Sequence, residues 1–77
     1  MSELKRIRIS RELSQIELSR MSKVHPSRIS LIESGSTTPT ANEIRRISDA
    51  LSMVGEEIFG LDAVVNKLTA SRKRENE

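Results

Sequence analysis

The chain has no cysteine, tryptophan or tyrosine, and its only aromatic residue is Phe59. Without cysteine it has no disulfide framework and no thiolate for nucleophilic or redox chemistry, which fits a reducing cytoplasm. One aromatic side chain cannot build the stacking platforms on which single-strand and many RNA-binding modules depend. These absences argue against disulfide scaffolds, redox enzymes and base-stacking nucleic-acid binders.

Long apolar runs and catalytic motifs are also missing. No stretch approaches the roughly 20 apolar residues that span a bilayer, and MSELKRIRIS lacks the apolar block of a secretory signal. The single histidine provides no metal-ligand set, and the three glycines form no phosphate-cradling motif. We therefore predict a soluble cytoplasmic protein that is not an enzyme and uses no metal, cofactor or small-molecule substrate.

The charged residues that are present are unevenly distributed. The net charge of the 77 residues is +2, but residues 1–34 hold seven Lys or Arg against four Glu. Residues 35–66 hold two Arg against five acidic residues. A basic first part beside an acidic middle suggests that one end faces a polyanion, with ordinary solvated helix surfaces as the alternative explanation.

Apolar residues recur at helical spacing along most of the chain, and no segment shows the alternation of a strand. We predict an all-α fold with a compact five-helix domain over residues 1–60. A short further helix is expected over 61–71 and a polar, disordered tail over 72–77. The 61–71 segment carries an apolar stripe at the spacing of one helix face, namely Leu61, Val64, Val65 and Leu68.

Two capping boxes mark where helices begin. Ser14 and Glu17 are spaced so that each side chain can bond the backbone amide of the other, and Thr40 and Glu43 repeat that spacing. The helix that follows the first box is expected to turn its apolar side chains inward, namely Leu18 and Met21.

A proline separates that helix from the next in the stretch LSQIELSRMSKVHPSRISLIESG. Pro26 would cost about 3 kcal/mol inside a continuous helix, but its missing N–H costs nothing at the first position of a new one. We predict a helix from Pro26 to about Ser34, ended by Gly35 as a left-handed cap. Its buried face should carry Ile29 and Ile32, and its outward face Ser27, Arg28 and Leu31.

Two helices joined by such a turn resemble the helix-turn-helix of the Xre family, the bacteriophage repressor and Cro-like regulators. The resemblance covers about residues 4–59, where spacing and residue class agree at many separate points. It is carried by L-S-Q from Leu13, Leu18 with Ser19, Val24, I-S-L-I-E-S-G from Ile29, Pro39, Ala50, Leu51, Ile58 and Phe59. It implies a repressor-like fold and a small stand-alone regulator similar to restriction-modification controller proteins.

The resemblance also implies that the helix from Pro26 enters the major groove of DNA. Base contacts are then expected from Ser27, Arg28 and Leu31. Arg28 can fork onto the two acceptors of a guanine, a contact worth about 1–3 kcal/mol of discrimination. Leu31 can meet a thymine methyl group, or it is an ordinary exposed leucine.

Phosphate contacts are implied for polar residues around this helix. Gln15, at the positive end of the preceding helix, is expected to hold a phosphate and fix the register. Lys23 in the turn adds a phosphate contact or is simply a solvated lysine. The full set of expected phosphate contacts is Ser14, Gln15, Lys23, His25, Ser36, Thr37, Thr38 and Asn42.

Three positions bear on stability. Arg8 and Glu33 match a family ion pair that is structural rather than catalytic, and breaking one side of such a buried pair costs about 3–5 kcal/mol. Glu12 and Lys23 stand where the family often has glycine. A left-handed backbone at either residue would cost about 1 kcal/mol.

A single module of this kind reads only a few base pairs, which implies a two-fold dimer on a palindromic operator. We expect the interface to use Ile58, Phe59, Leu61, Val64, Val65 and Leu68. The alternative is that residues 61–71 fold back on their own core. The predicted function is a homodimeric, sequence-specific regulator of transcription that binds double-stranded DNA as a repressor or autoregulator, and the alternative is an antitoxin or protein-interaction adaptor.

Overall fold

A computed structural model describes residues 2–60, and within this range every regular element is an α-helix and there is no strand. The helices are α1 (Glu3–Ser10), α2 (Gln15–Ser22), α3 (Pro26–Ser34), α4 (Ala41–Leu51) and α5 (Gly55–Phe59). The predicted all-α fold is confirmed. The predicted helix over 61–71 and tail over 72–77 lie outside the described residues.

Local side-chain bonds start α2 and α4 as the sequence predicts. Ser14 Oγ accepts from the Glu17 amide at 3.0 Å, and the Glu17 carboxylate accepts from the Ser14 amide at 3.0 Å. Thr40 and Glu43 form the second box, with distances of 3.1 and 2.9 Å. Both boxes satisfy amides that have no partner inside the helix.

The core draws apolar side chains from all five helices and from the turn before α3. Its buried members are Leu4, Leu18, Val24, Ile29, Ile32, Ile47, Leu51 and Ile58. α2 packs against α3 and α4, while α5 packs against α4 and α1. This arrangement covers one side of α3 and leaves its other side open.

The inward prediction for Met21 is wrong, because this side chain is 48% exposed. The buried positions of α2 are Leu18 and Ser22, which are four residues apart and therefore lie on one face. The Ser22 hydroxyl donates to the Leu18 carbonyl at 2.8 Å, which satisfies a buried polar group. A serine thus takes the place on the inner face that the apolar pattern gave to methionine.

The turn between α2 and α3 carries a strained residue. Lys23 has φ 63°, and Glu12 before α2 has φ 57°, so the backbone is left-handed at both positions where the family often has glycine. We expect Lys23→Gly to raise the free energy of unfolding by about 0.5–1 kcal/mol, because glycine adopts this conformation without steric cost. Arg20→Gly, inside α2, should lower the free energy of unfolding by about 1 kcal/mol. Urea denaturation followed by circular dichroism measures both, and a loss of stability in Lys23→Gly would contradict the prediction.

Candidate nucleic-acid interface

The open side of α3 is a continuous stripe. Ser27, Ser30, Leu31 and Ser34 are all exposed, and their spacing of three, four and seven residues places them on one face, here called the outward face of α3. Ser27 and Leu31 were predicted there, whereas Ser30 and Ser34 were missed although the same spacing would have found them. The outward face of α3 therefore carries three hydroxyls, one apolar side chain and no charge.

Arg28 points away from this stripe and is paired within the molecule. Its Nε donates to Glu43 Oε2 at 2.8 Å and its Nη2 donates to Glu43 Oε1 at 2.7 Å. Its Nη1 lies 3.4 Å from Thr37 Oγ1. The guanidinium fork expected to meet a guanine is thus occupied by a carboxylate, so the structure does not present Arg28 as a free base-reading group. Glu43 is 15 residues away in sequence, and no local pattern announces the pairing.

This pairing shifts the ionisation of Glu43. The hydrogen bonds from Arg28, helped by the Thr40 amide, lower the pKa of Glu43 from 4.5 to about 2. The same contact raises the pKa of Arg28. Both groups therefore stay charged, and the pair stays intact, across the neutral range.

The lowered pKa of Glu43 makes stability depend on acid. The contribution of the Arg28–Glu43 pair to the free energy of unfolding is complete above pH 4.5. It is lost as pH falls towards about 2, because the unfolded chain then takes up the proton first. With solvent screening of the partly exposed guanidinium, we expect a loss of about 1–2 kcal/mol. Urea melts of wild type and Glu43→Gln between pH 6 and pH 2.5 measure it. Parallel pH profiles for the two proteins would contradict the prediction.

His25 caps the start of α3. Its Nδ1 accepts from the Ser27 amide at 3.1 Å, and Ser27 Oγ lies 2.7 Å from the same nitrogen. This cap fixes the first turn of the outward face of α3. A phosphate contact by the exposed His25 ring stays a prediction.

Gln15 belongs to a buried network that joins three helices. Arg8 Nε donates to Glu33 Oε2 at 2.6 Å and Arg8 Nη2 donates to Oε1 at 3.1 Å, which confirms the predicted ion pair. Arg8 Nη1 also donates to the Leu13 carbonyl at 2.7 Å. Gln15 Nε2 donates to Glu33 Oε1 at 3.0 Å, so the Gln15 amide ties the start of α2 to the end of α3. Its phosphate contact would have to use the second amide hydrogen.

The loop between α3 and α4 is bonded to both ends of α3. Ser36 Oγ lies 2.8 Å from Ser34 Oγ, and Thr37 is held by Arg28 near the first turn. Thr38 is exposed beside them. These bonds hold the loop over residues 36–38, which is expected to contact phosphates, against α3.

Asn42 lies exposed in the first turn of α4, where its Oδ1 accepts from Arg45 Nη2 at 2.9 Å. Arg45 was missed by the sequence reasoning, although its position three residues later on the same helix could have indicated it. The bond leaves the Asn42 amide group as a donor and adds a nearby cation. Asn42 therefore keeps the chemistry that a phosphate contact requires.

The structure also shows the surroundings of Lys23 and of two residues predicted for the dimer interface, Ile58 and Phe59. The Lys23 carbonyl accepts from Arg46 Nη1 at 3.3 Å, so the turn lies beside the second half of α4. Ile58 is only 4% exposed and belongs to the core, so it offers little surface of its own, and its place in a dimer interface stays a prediction. Phe59 is partly buried against the core. The other predicted interface residues, Leu61, Val64, Val65 and Leu68, lie outside the described residues.

A family model described as helix-turn-helix matches residues 4–59, the range that holds this geometry and most of the chain. The chain belongs to the Xre/Cro-like helix-turn-helix family. This family consists of DNA-binding, non-enzymatic domains, and α2 and α3 form its helix-turn-helix in the present chain. No curated protein and no solved structure matches the chain significantly.

Within the part of the chain that the structure describes, none of the helices combines the length and apolar character that crossing a membrane requires. In the same part, no three His, Cys, Asp or Glu side chains cluster as the ligands of a metal ion would.

Proposed function

We propose that the protein is a sequence-specific transcription regulator that binds double-stranded DNA in the cytoplasm, as a homodimeric repressor or autoregulator on a palindromic operator. The observation that carries the proposal is the outward face of α3, which is exposed on a helix held rigid at both ends. His25 caps its start, Gly35 ends it with φ 79°, and Glu33 anchors it to α1 and α2. A rigid exposed helix of this kind can enter the major groove.

The surroundings of α3 support a grip on the DNA backbone. The starts of α2 and α4 present Ser14 and Asn42, and the loop presents Ser36 and Thr38, all exposed. Hydroxyls, amides and helix N-termini are the groups that hold phosphates and set the register of a protein on a duplex. These contacts would position the outward face of α3 without contributing sequence preference.

The apolar end of the domain supports the dimer proposal. An open groove there is lined by Leu4, Ile32, Pro39, Ile58 and Phe59 together with Ser2 and three glutamates, Glu3, Glu56 and Glu57. Gly60, the last described residue, belongs to the same lining. The residues that continue from Gly60 carry the apolar stripe of the sequence. A second copy docking at this end would double the number of base pairs read, which a single outward face of four residues cannot supply.

The experiment that tests the proposal is selection from a pool of random duplexes, followed by titration of the enriched duplex and a scrambled one at several salt concentrations. We expect enrichment of a palindrome, preference over the scrambled duplex, and a linear fall of log affinity with log salt concentration. An antitoxin or adaptor acting through an apolar interface would enrich no sequence, and its protein contact would hardly respond to salt. That outcome would reject the regulator.

A further inference from the structure

We propose that Arg28 is a positioning residue and that α3 reads its site through an uncharged surface selective for thymine methyl groups. The inference rests on the proposed function, because it names the bases that the same site takes. It departs from the expectation that Arg28 reads guanine. Three features of the described residues carry it.

The first feature is the quality of the contact that Arg28 already makes. Glu43 accepts two short hydrogen bonds from the guanidinium in a fork-to-fork arrangement. In this pair both the donor and the acceptor are charged, whereas guanine would offer the same guanidinium only neutral acceptors. Turning Arg28 to a guanine would exchange the stronger partner for a weaker one.

The second feature is what Arg28 would leave behind. The Glu43 side chain is only 13% exposed, against 33% for Arg28. Without Arg28, the Thr40 amide would be the one partner of its carboxylate among the described residues while a polyanion approached the adjacent loop. A partly buried, poorly paired carboxylate beside phosphates is unfavourable, so the pair should persist in the complex.

The third feature is what the pair holds in place. Glu43 bonds both Arg28 and the Thr40 amide, and Arg28 also reaches Thr37. One carboxylate thus joins the first turn of α3, the loop over 36–40 and the start of α4. Arg28 therefore positions the loop that would grip phosphates.

Base reading then falls to the outward face of α3. Its serine hydroxyls can donate or accept and so tolerate several base edges, and two of them already have partners, Ser27 with His25 and Ser34 with Ser36. Leu31 is 42% exposed and is the only apolar side chain of the face. In the major groove the apolar group that matches it is the C5 methyl of thymine.

The test uses the duplex enriched by selection, resynthesised in two ways. Deoxyuridine in place of thymidine removes only the methyl group, and 7-deazaguanine in place of guanine removes only the N7 acceptor. For the wild-type protein we expect uracil under α3 to weaken binding about fourfold per contacted methyl. Leu31→Ala should weaken binding to the thymine duplex similarly and show no further loss with uracil. The 7-deazaguanine duplex should bind as tightly as the unmodified one.

Arg28→Gln supplies the matched test of positioning. It should weaken the enriched and scrambled duplexes by the same factor and leave the selected sequence unchanged, with its folded fraction checked by circular dichroism. Loss of affinity with 7-deazaguanine that disappears in Arg28→Gln would overturn the inference, as would insensitivity to uracil, and both outcomes leave the regulator standing. The measurement with modified bases uses wild-type protein, so it decides the matter even if Arg28→Gln does not fold. Failure to enrich any sequence would reject the regulator and this inference together.

Discussion

Replacing Arg8 with alanine is expected to lower the free energy of unfolding by about 3–5 kcal/mol. Glu33 is only 6% exposed, and within residues 2–60 the substitution would leave its carboxylate with Gln15 as its one remaining side-chain donor. The Leu13 carbonyl would lose its bond from Arg8 as well. Since small domains are stable by only about 5–15 kcal/mol, and those of this size lie towards the lower end, a large part of the protein should unfold at 37 °C.

The chain offers a matched control on the same helix. Arg6 also faces a carboxylate, that of Glu3, but at 3.9 Å and with side chains 66% and 50% exposed. An exposed pair of this kind contributes at most about 0.5 kcal/mol, so Arg6→Ala should melt close to wild type. Thermal and urea melts followed by circular dichroism compare the three proteins. Equal melting temperatures for Arg8→Ala and Arg6→Ala would show that the buried pair does not hold α1 to α3.

Replacing Leu18 with alanine is expected to lower the free energy of unfolding by about 2–5 kcal/mol. Leu18 is fully buried on the inner face of α2, where that helix meets α3 and α4. The smaller side chain would leave a cavity at the junction that sets the angle between the two helices of the helix-turn-helix. Urea denaturation of the purified variant measures the loss.

Leu31→Ala is the control for this deletion, because the same atoms are removed from the outward face of the next helix. Its stability should stay within about 0.5 kcal/mol of wild type, while its affinity for the selected duplex should fall. Leu18→Ala, measured at a temperature where it is still folded, should keep the base preference of wild type. Comparable losses of stability in the two variants would mean that Leu31 packs against the domain and is not free for DNA.

Local signals in the sequence determined where the helices begin and end. The spacing of Ser14 and Glu17, the proline at position 26 and the glycine at position 35 each act within a few residues, so their effect does not depend on the rest of the fold. The outward position of Leu31 follows from the helical spacing of the side chains along α3. The Arg8–Glu33 pair spans 25 residues, and it was available in advance only through the family resemblance.

Packing between distant segments decided which side chains are buried and which are exposed. Met21 is exposed because α2 turns Leu18 and Ser22 towards its neighbours, which an apolar count cannot reveal. Ile58 is buried because α5 packs against α1 and α4, so most of its side chain is covered within the domain.

The sequence by itself determined the helices, their caps and the exposed stripe of α3, because these depend on residues within one or two turns of each other. Only the tertiary structure decided the role of Arg28. Its partner Glu43 lies on another helix, and the two side chains meet only once the loop between them has folded. A charge on an exposed-looking turn can bind DNA or a neighbouring carboxylate, and the distance between the atoms distinguishes the two.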